Sequence, residues 1–199
     1  GGGMKLETLL EAAVKTIRDH AEKLTALDSA IGDADHGINI KRGFDAIDVA
    51  KAEILAMPLG AALQKMGMTL VMTVGGASGP LYGSLLMAFK GLPENPTLAD
   101  VSKSFDEAIE AVKKRGKSTT GEKTMLEVLV PVSNVLREGD VTIQTVLKAA
   151  EEGLESTRNM QATKGRASFL GERSIGHLDP GAMSSYLLIQ ATCETLSER

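Results

Sequence analysis

The sequence contains no tryptophan, and aromatic residues make up only 3% of its 199 residues. Proteins that bind single-stranded nucleic acid stack the bases on such side chains, so this class of binding is excluded. Cys193 is the only cysteine, and one cysteine can form neither an internal disulfide nor a cluster of thiolate metal ligands. We expect Cys193 to be a small buried side chain in a C-terminal helix.

The chain also lacks a dense run of basic residues and a long apolar segment. Its formal net charge is −4 at pH 7 and its isoelectric point is about 5.5, unlike the basic footprint of a nucleic-acid-binding domain. No stretch approaches the length of about 18 uncharged apolar residues that a membrane-spanning helix needs, and no secretion signal opens the chain. We therefore expect a cytoplasmic protein that binds neither nucleic acid nor a membrane.

Length and apolar content indicate one domain. Hydrophobic residues make up 43% of the chain, which is sufficient for one large core. Residues 1–3 are three glycines before Met4, and they are typical of a remnant of expression cloning. We therefore exclude residues 1–3 from the fold and expect residues 4–199 to form a single domain.

Apolar residues recur with the helical period along the chain. They form one stripe on a first helix of roughly six turns: Leu6, Leu9, Leu10, Ala13, Val14, Ile17, Leu24 and Leu27. Similar segments lie at about 38–56, 60–74, 80–90, 97–115, 122–138, 142–160 and 180–197. A strand over residues 69–74 remains an alternative. Short connections favour antiparallel neighbours, so the sequence predicts an all-α fold, an eight-helix bundle or barrel.

Three carboxylates and two glycines fall within residues 28–37, directly after the first predicted helix. Neighbouring carboxylates repel one another unless a cation neutralises them. Mg²⁺ typically takes one or two carboxylates together with phosphate oxygens and water, so the segment predicts a magnesium site with a phosphate ligand. The calcium-binding EF-hand pattern is not met when counted from Asp33. The alternative is that Asp28 and Asp33 only cap helices or end a turn.

Glycines gather in three segments between predicted helices. In residues 75–80, glycine lets the backbone approach a ligand, and the next helix offers N–H groups to an anion such as phosphate; a tight helix–helix turn is the alternative. Residues 116–124 come close to a Walker A loop, but Glu122 interrupts the pattern and no strand precedes it, so a P-loop is excluded. Lys123 can still contribute to a nucleotide pocket.

The third glycine-rich segment, residues 162–181, contains three basic residues and four glycines. Connections longer than about 12–15 residues are usually functional or disordered. Arginine binds phosphate or carboxylate through paired donors. These features favour an anion site over the alternative of a solvated loop.

Four ordered blocks of sequence are highly specific: AIGDADHG at 30–37, GGASGPLYG at 75–83, GEKTM at 121–125 and GRASFLGERSIGHLDPG at 165–181. They resemble the nucleotide-binding subunit L family of bacterial dihydroxyacetone kinases, and the resemblance extends over essentially the whole chain from Met4. It implies a barrel of eight amphipathic antiparallel helices. It also implies that tightly bound ADP or ATP and two Mg²⁺ ions lie in the loops at one end.

The resemblance also implies which residues bind these ligands. Three carboxylates match the metal ligands of the family: Asp28, Asp33 and Asp35. Nucleotide contacts carry over to His36, Gly37, Ile38, Asn39, Ala77, Ser78, Gly116, Met125, Arg166, Asp179, Pro180 and Gly181. We expect His36 to contact the nucleotide, and we assign no catalytic nucleophile to this chain. Phosphoryl transfer requires mainly positioning and charge neutralisation, which Mg²⁺ and Arg166 would supply.

The implied reaction is a phosphoryl shuttle between partner subunits. Subunit M carries a phosphohistidine, charged by the phosphoenolpyruvate phosphotransferase system, that rephosphorylates the bound ADP. The γ-phosphate then passes to dihydroxyacetone on subunit K. Two alternatives stay open: a detached ATP-dependent dihydroxyacetone kinase domain that exchanges free nucleotide, and an ADP-loaded regulatory module that binds a transcriptional regulator.

Overall fold

The structure, a computed structural model, describes residues 2–139 and 141–197. Gly1, Asp140 and residues 198–199 lie outside the described part, so the expected remnant at 1–3 and domain at 4–199 are covered only in part. The described residues form helices and no strand. None of these helices combines the length and the apolar character that crossing a membrane requires.

Nine α-helices are present in the described residues: α1 (Gly2–Ile31), α2 (His36–Val49), α3 (Lys51–Leu55), α4 (Leu59–Thr73), α5 (Ser78–Met87), α6 (Leu98–Gly116), α7 (Leu126–Arg137), α8 (Ile143–Ser156) and α9 (Pro180–Ser197). Two 3₁₀ segments cover Thr157–Asn159 and Arg166–Ser174. The prediction of an all-α fold is confirmed.

Two differences between the predicted and the observed helix bounds concern the division of a helix and the start of another. The helix predicted over 38–56 is divided at Ala50 into α2 and α3, so the described residues contain nine α-helices instead of eight. The helix predicted from residue 122 begins at Leu126, because the backbone of Lys123 is left-handed with a φ of 62° and cannot continue a right-handed helix. The alternative of a strand over 69–74 is wrong, since α4 extends to Thr73.

Eight of the nine helices form a closed ring. The helix α1 packs on α2, α2 on α4, and each later helix on the next, until α9 packs back on α1. The five-residue helix α3 lies between α2 and α4 in the chain. Because ring neighbours follow one another in sequence, they run antiparallel. The ring is the barrel arrangement that the sequence predicts.

The core fills the inside of this ring. On α1, the side chains of Leu10, Val14, Ile17 and Leu24 are buried along one face, as their spacing predicts. Each buried side chain of this size stabilises the fold by about 1.5–3 kcal/mol relative to an exposed one. Cys193 on α9 is buried as expected.

The antiparallel order brings four connections to one end of the ring: residues 32–35, 74–77, 117–125 and 157–179. This end is termed the loop end. The opposite end, termed the capped end, carries the connections from α3 to α4, from α5 to α6 and from α7 to α8. Every residue that the sequence assigns to metal or nucleotide lies in a loop-end connection or in the adjoining helix turn.

Candidate nucleotide site at the loop end

Asp28 organises the acidic segment. Its side chain lies in the last turn of α1, and Oδ2 accepts hydrogen bonds from the backbone N–H groups of Asp35 and His36 at 2.9 and 3.0 Å. A Cβ atom at position 32 would overlap Asp28 Oδ1, so a larger residue there would displace this carboxylate. The capping alternative is therefore correct in part for Asp28, which holds the start of α2.

The other two carboxylates do not cap a helix. Asp35 precedes the first residue of α2, but its side chain makes no capping hydrogen bond. Asp33 is exposed, and its Oδ1 lies 3.1 Å from Nε of Arg166. Between them, Ala34 has a left-handed φ of 62°, a conformation that costs a residue with a side chain about 1–2 kcal/mol. Strain of this kind clusters at binding sites.

The carboxylates fit Mg²⁺ in their chemistry. Within the described residues, no three His, Cys, Asp or Glu side chains are gathered closely enough to hold a metal ion. Mg²⁺ needs only one or two carboxylates when phosphate oxygens and water complete its shell. The uncapped carboxylate of Asp35 meets this requirement, whereas that of Asp33 is paired with Arg166.

His36 joins three helices through its side chain. His36 is 7% exposed. Its imidazole Nδ1 lies 3.1 Å from Ser78 Oγ, and its Nε2 lies 2.9 Å from Ser184 Oγ. Burial lowers the pKa of His36, although the charges of Asp28 and Asp35 oppose the shift. Because both ring nitrogens have partners, the ring is not a free phosphoacceptor, and the backbone N–H of His36 is paired with Asp28.

Tyr82 extends the same network and was missed by the sequence analysis. Its hydroxyl contacts the hydroxyls of Ser184 and Ser185 on α9. Burial raises the pKa of Tyr82 to about 12. The specific block at 75–83 contains Tyr82, but the partner serines lie about one hundred residues later in the chain, and no local spacing indicates them.

Close packing explains some of the glycines. A Cβ atom at Gly37 would overlap the backbone oxygen of Ala21, and one at Gly79 would overlap that of Val74. Gly76 has a φ of 68°, which favours glycine. The tight-turn alternative for residues 75–80 is therefore correct in part, and it coexists with a ligand role.

Two helices begin at the loop end with free donors. Asp35 before α2 and Ala77 before α5 make no side-chain cap, and Asp28 accepts only from the N–H groups of Asp35 and His36. In the described residues, the backbone N–H groups of Gly37, Ile38, Ser78 and Gly79 donate to no protein acceptor. Free N–H groups and the positive end of the helix dipole form an anion site. Three of these four residues are ones that the sequence assigns to nucleotide contacts.

Asp179 lies at the loop end, directly before the first residue of α9. Its Oδ2 accepts a 2.8 Å hydrogen bond from the backbone N–H of Ala182, so Asp179 caps α9. Burial raises the pKa of Asp179 to about 7, and the charges of Glu127 and Asp28 add to the shift, while the Ala182 N–H and Lys123 oppose it.

The third connection folds around two charged side chains. Glu127 accepts hydrogen bonds from the backbone N–H groups of Gly121 and Thr124 at 2.6 and 2.7 Å. Lys123 is 3% exposed, and its ammonium group donates to the carbonyl oxygens of Thr157 and His177. The ammonium group is therefore directed to loop carbonyls and makes no contact of the kind expected for a phosphate-binding lysine.

The predicted nucleotide residues meet across the four connections. A Cβ atom at Gly75 would lie 3.4 Å from Asn39 Oδ1, and one at Gly181 would lie 3.9 Å from Met125 Cβ. The remaining predicted residues stand at the ends of these elements: Ala77 before α5, Gly116 at the end of α6 and Pro180 at the start of α9. Ile38 stays largely exposed.

Comparison with known proteins gives a family and two close relatives. The DAK2 domain family matches residues 30–194. The chain is 45% identical over 181 residues to the PEP-dependent dihydroxyacetone kinase 1 ADP-binding subunit DhaL of Listeria innocua, covering 90% of this chain and 89% of that one. It is 42% identical over 180 residues to the PEP-dependent dihydroxyacetone kinase ADP-binding subunit DhaL of Escherichia coli K12, covering 85% and 86%.

A solved structure has the same fold. The dihydroxyacetone kinase of C. freundii, crystallised in complex with AMP-PNP and Mg²⁺, aligns with a TM-score of 0.76 at 23% identity. The match covers 94% of this chain and 33% of that one, so the likeness concerns the fold alone. On the match to residues 30–194 and the two full-length relatives, the chain belongs to the DAK2 domain family.

Proposed function

We propose that this chain is the ADP-binding subunit of a phosphoenolpyruvate-dependent dihydroxyacetone kinase and that it holds one ADP or ATP tightly at the loop end. The observation that carries the proposal is the set of free N–H groups at Gly37, Ile38 and Ser78, which faces the same end as the acidic segment. Anion donors beside carboxylates match a nucleotide phosphate bound together with a cation.

The reaction is a phosphoryl transfer in two steps. A phosphohistidine of subunit M rephosphorylates the retained ADP, and the γ-phosphate then passes to the hydroxyl of dihydroxyacetone on subunit K. Both partners and a cytoplasmic location are part of the proposal. No feature of the described residues identifies a transcriptional regulator, so the proposal includes none.

The residues of this chain position the phosphates and balance their charge. The N–H groups at the starts of α2 and α5 hold phosphate oxygens, and Arg166 leaves Asp33 to pair with the transferred group. Asp28, Asp33 and Asp35 would hold two Mg²⁺ ions, which neutralise phosphate charge when bound. The proposed nucleotide contacts are His36, Gly37, Ile38, Asn39, Ala77, Ser78, Gly116, Met125, Arg166, Asp179, Pro180 and Gly181.

The identity of 45% and 42% to two bacterial ADP-binding subunits favours a subunit of this kind over an ATP-dependent kinase domain. The matches cover 89% and 86% of the two bacterial subunits. A retained cofactor also differs from exchanging nucleotide in a measurable way. We expect the purified protein to keep its ADP during competition with labelled ATP, whereas an ATP-dependent domain would exchange it within one turnover.

The test of the proposed function uses Asp33→Asn in a reconstituted system. Purified subunits K and M and the phosphotransferase proteins are combined with this chain, and dihydroxyacetone phosphate is measured. We expect Asp33→Asn to lower its formation by about 100-fold, because a metal ligand is lost. The control is Asp100→Asn at the start of α6, which should turn over normally. Unimpaired turnover by Asp33→Asn would contradict the metal role.

A further inference from the structure

Lys123 is a buried ammonium group without a paired carboxylate. It is 3% exposed, and the salt bridges among the described residues do not include it. Burial lowers the pKa of Lys123, although the charge of Asp179 opposes the shift. Burying a charge is unfavourable unless hydrogen bonds compensate it. Here the compensating acceptors are two backbone carbonyl oxygens, those of Thr157 and His177.

These two carbonyls belong to the two stems of the 157–179 connection. Thr157 follows the last residue of α8, and His177 lies two residues before Asp179. The same neck is closed by a hydrogen bond of 2.6 Å from the Gly176 N–H to the Arg158 carbonyl and by one of 3.0 Å from the Asp179 N–H to Thr157 Oγ1. Lys123 thus reaches across from the 117–125 connection and binds both stems.

The loop beyond the neck carries Arg166 to the acidic segment. The 3₁₀ segment Arg166–Ser174 packs on α1, and Arg166 pairs with Asp33. Gly165 and Gly171 have positive φ values of 64° and 55°, so regular helix geometry does not fix the path of this loop. The neck fixes the two stems from which this loop extends, and beyond the neck the loop contacts Glu122 and α1.

We propose that Lys123 is a positioning residue that clamps the neck of the 157–179 connection and so sets Arg166 and Asp179 for nucleotide binding. The inference rests on the proposed function, because it gives Lys123 a part in retaining the nucleotide. It does not rest on direct contact between Lys123 and phosphate.

A matched pair of variants distinguishes the effect of losing the ammonium group from the effect of relieving the left-handed backbone. Lys117 and Lys123 both have left-handed backbones, with φ values of 49° and 62°, and glycine fits both. Lys117 is exposed at the end of α6 and makes none of the neck contacts. Lys117→Gly therefore relieves the same backbone strain as Lys123→Gly without removing a clamp.

Two measurements distinguish opening of the loop from release of the nucleotide. Trypsin cleavage after Lys164, Arg166 and Arg173 reports opening of the loop, and the dissociation rate of ADP reports retention. We expect Lys123→Gly to raise both rates about tenfold and Lys117→Gly to change them by less than about twofold, since cleavage follows the population of the open loop. Propylammonium should restore slow cleavage in Lys123→Gly, and 1-propanol, which lacks the charge, should not.

Each outcome decides the proposal. Equal rates for Lys123→Gly and Lys117→Gly, rescue by 1-propanol as well as propylammonium, or faster cleavage with unchanged ADP release would each overturn it. Should Lys123→Gly fail to fold, Lys123→Met, which keeps the apolar stem and lacks the donor, is measured instead, and wild-type rates would overturn the clamp. If the wild-type protein retains no ADP, the proposed function fails, while the trypsin comparison still reports on the neck.

Discussion

The two ends of the helical ring satisfy their helix starts differently. At the capped end, α6 and α8 begin with capping boxes, in which Thr97 pairs with Asp100 and Thr142 with Thr145. At the loop end, the residues directly before α2 and α5 make no side-chain cap, although Asp179 caps α9. The capping boxes satisfy donors at the starts of α6 and α8, whereas the starts of α2 and α5 leave donors that suit an external anion.

The same division holds for backbone strain. Among the described residues, every residue with a positive φ lies in a loop-end connection: Ala34, Gly76, Lys117, Gly121, Lys123, Gly165, Gly171 and Gly176. Unfavourable conformations persist where the surrounding structure fixes them, and they cluster at binding sites. The comparison supports the proposal that the loop end holds the ligand.

The largest expected effect concerns a glycine at the loop end. Gly37→Ala would place a Cβ atom into the backbone oxygen of Ala21, where a main-chain atom cannot move aside. We expect a loss of about 3 kcal/mol in the free energy of unfolding, as for overpacking in a core. Urea denaturation measures it. Gly91→Ala at the capped end, where a Cβ atom meets nothing within 4 Å, is the control, and equal losses would refute the packing account.

Asp28→Asn should lower the activity strongly and the free energy of unfolding only slightly. Asparagine can still accept from the N–H groups of Asp35 and His36, but it lacks the charge for a cation. We expect dihydroxyacetone phosphate formation to fall by about 100-fold, equivalent to about 2.7 kcal/mol in the barrier, with a shift of less than about 1 kcal/mol in unfolding free energy. Full activity of Asp28→Asn would contradict the proposed difference between the ends. A large loss of stability that by itself explains the loss of activity would contradict it as well.

Thr97→Ala at the capped end should have the opposite effect, a loss of stability without a loss of activity. It removes the side-chain acceptor for the Asp100 N–H, and loss of such a cap lowers the free energy of unfolding by about 1 kcal/mol. We expect ADP retention and turnover to remain at wild-type levels, because Thr97 lies at the end of the ring away from the site. A fall in ADP retention that exceeds the loss of stability would show that the two ends are coupled.

A further expected effect is a pH dependence of stability. Burial raises the pKa of Asp179 to about 7 from its ordinary value of 3.8. The folded chain therefore binds this proton more tightly than the unfolded chain, so the contribution is full below pH 3.8 and is lost as the pH rises toward 7. We expect Tm to fall less in Asp179→Asn than in the wild type between about pH 4 and pH 8. Parallel Tm profiles would show that Asp179 titrates in its ordinary range.

Local patterns in the sequence predict the helices and the participating loops well. The spacing of Thr97 and Asp100 predicts the start of α6, and the apolar stripe predicts α1. The break between α2 and α3 at Ala50 could not be predicted, because no glycine or proline lies there. Thr142 and Thr145 form a capping box without the acidic residue that the usual signature contains.

Contacts between distant loops could not be predicted in this way. His36 and Ser184 are 148 residues apart in the chain, and Lys123 and His177 are 54 residues apart. Such pairs depend on the closing of the ring, which no local period encodes. The family resemblance supplied the candidate residues, but only the structure distinguishes a side chain that packs, as in His36, from a backbone that offers a donor, as in Gly37.

The most direct test of the account is the mass of the intact protein by native mass spectrometry, after incubation with ADP and Mg²⁺ and removal of excess ligand. The account predicts one ADP and two Mg²⁺ ions per chain, with the Mg²⁺ ions lost in Asp33→Asn and the nucleotide kept in Thr97→Ala. A chain that shows only its own mass after incubation with millimolar ADP and Mg²⁺ would contradict the claim that the loop end holds a nucleotide tightly.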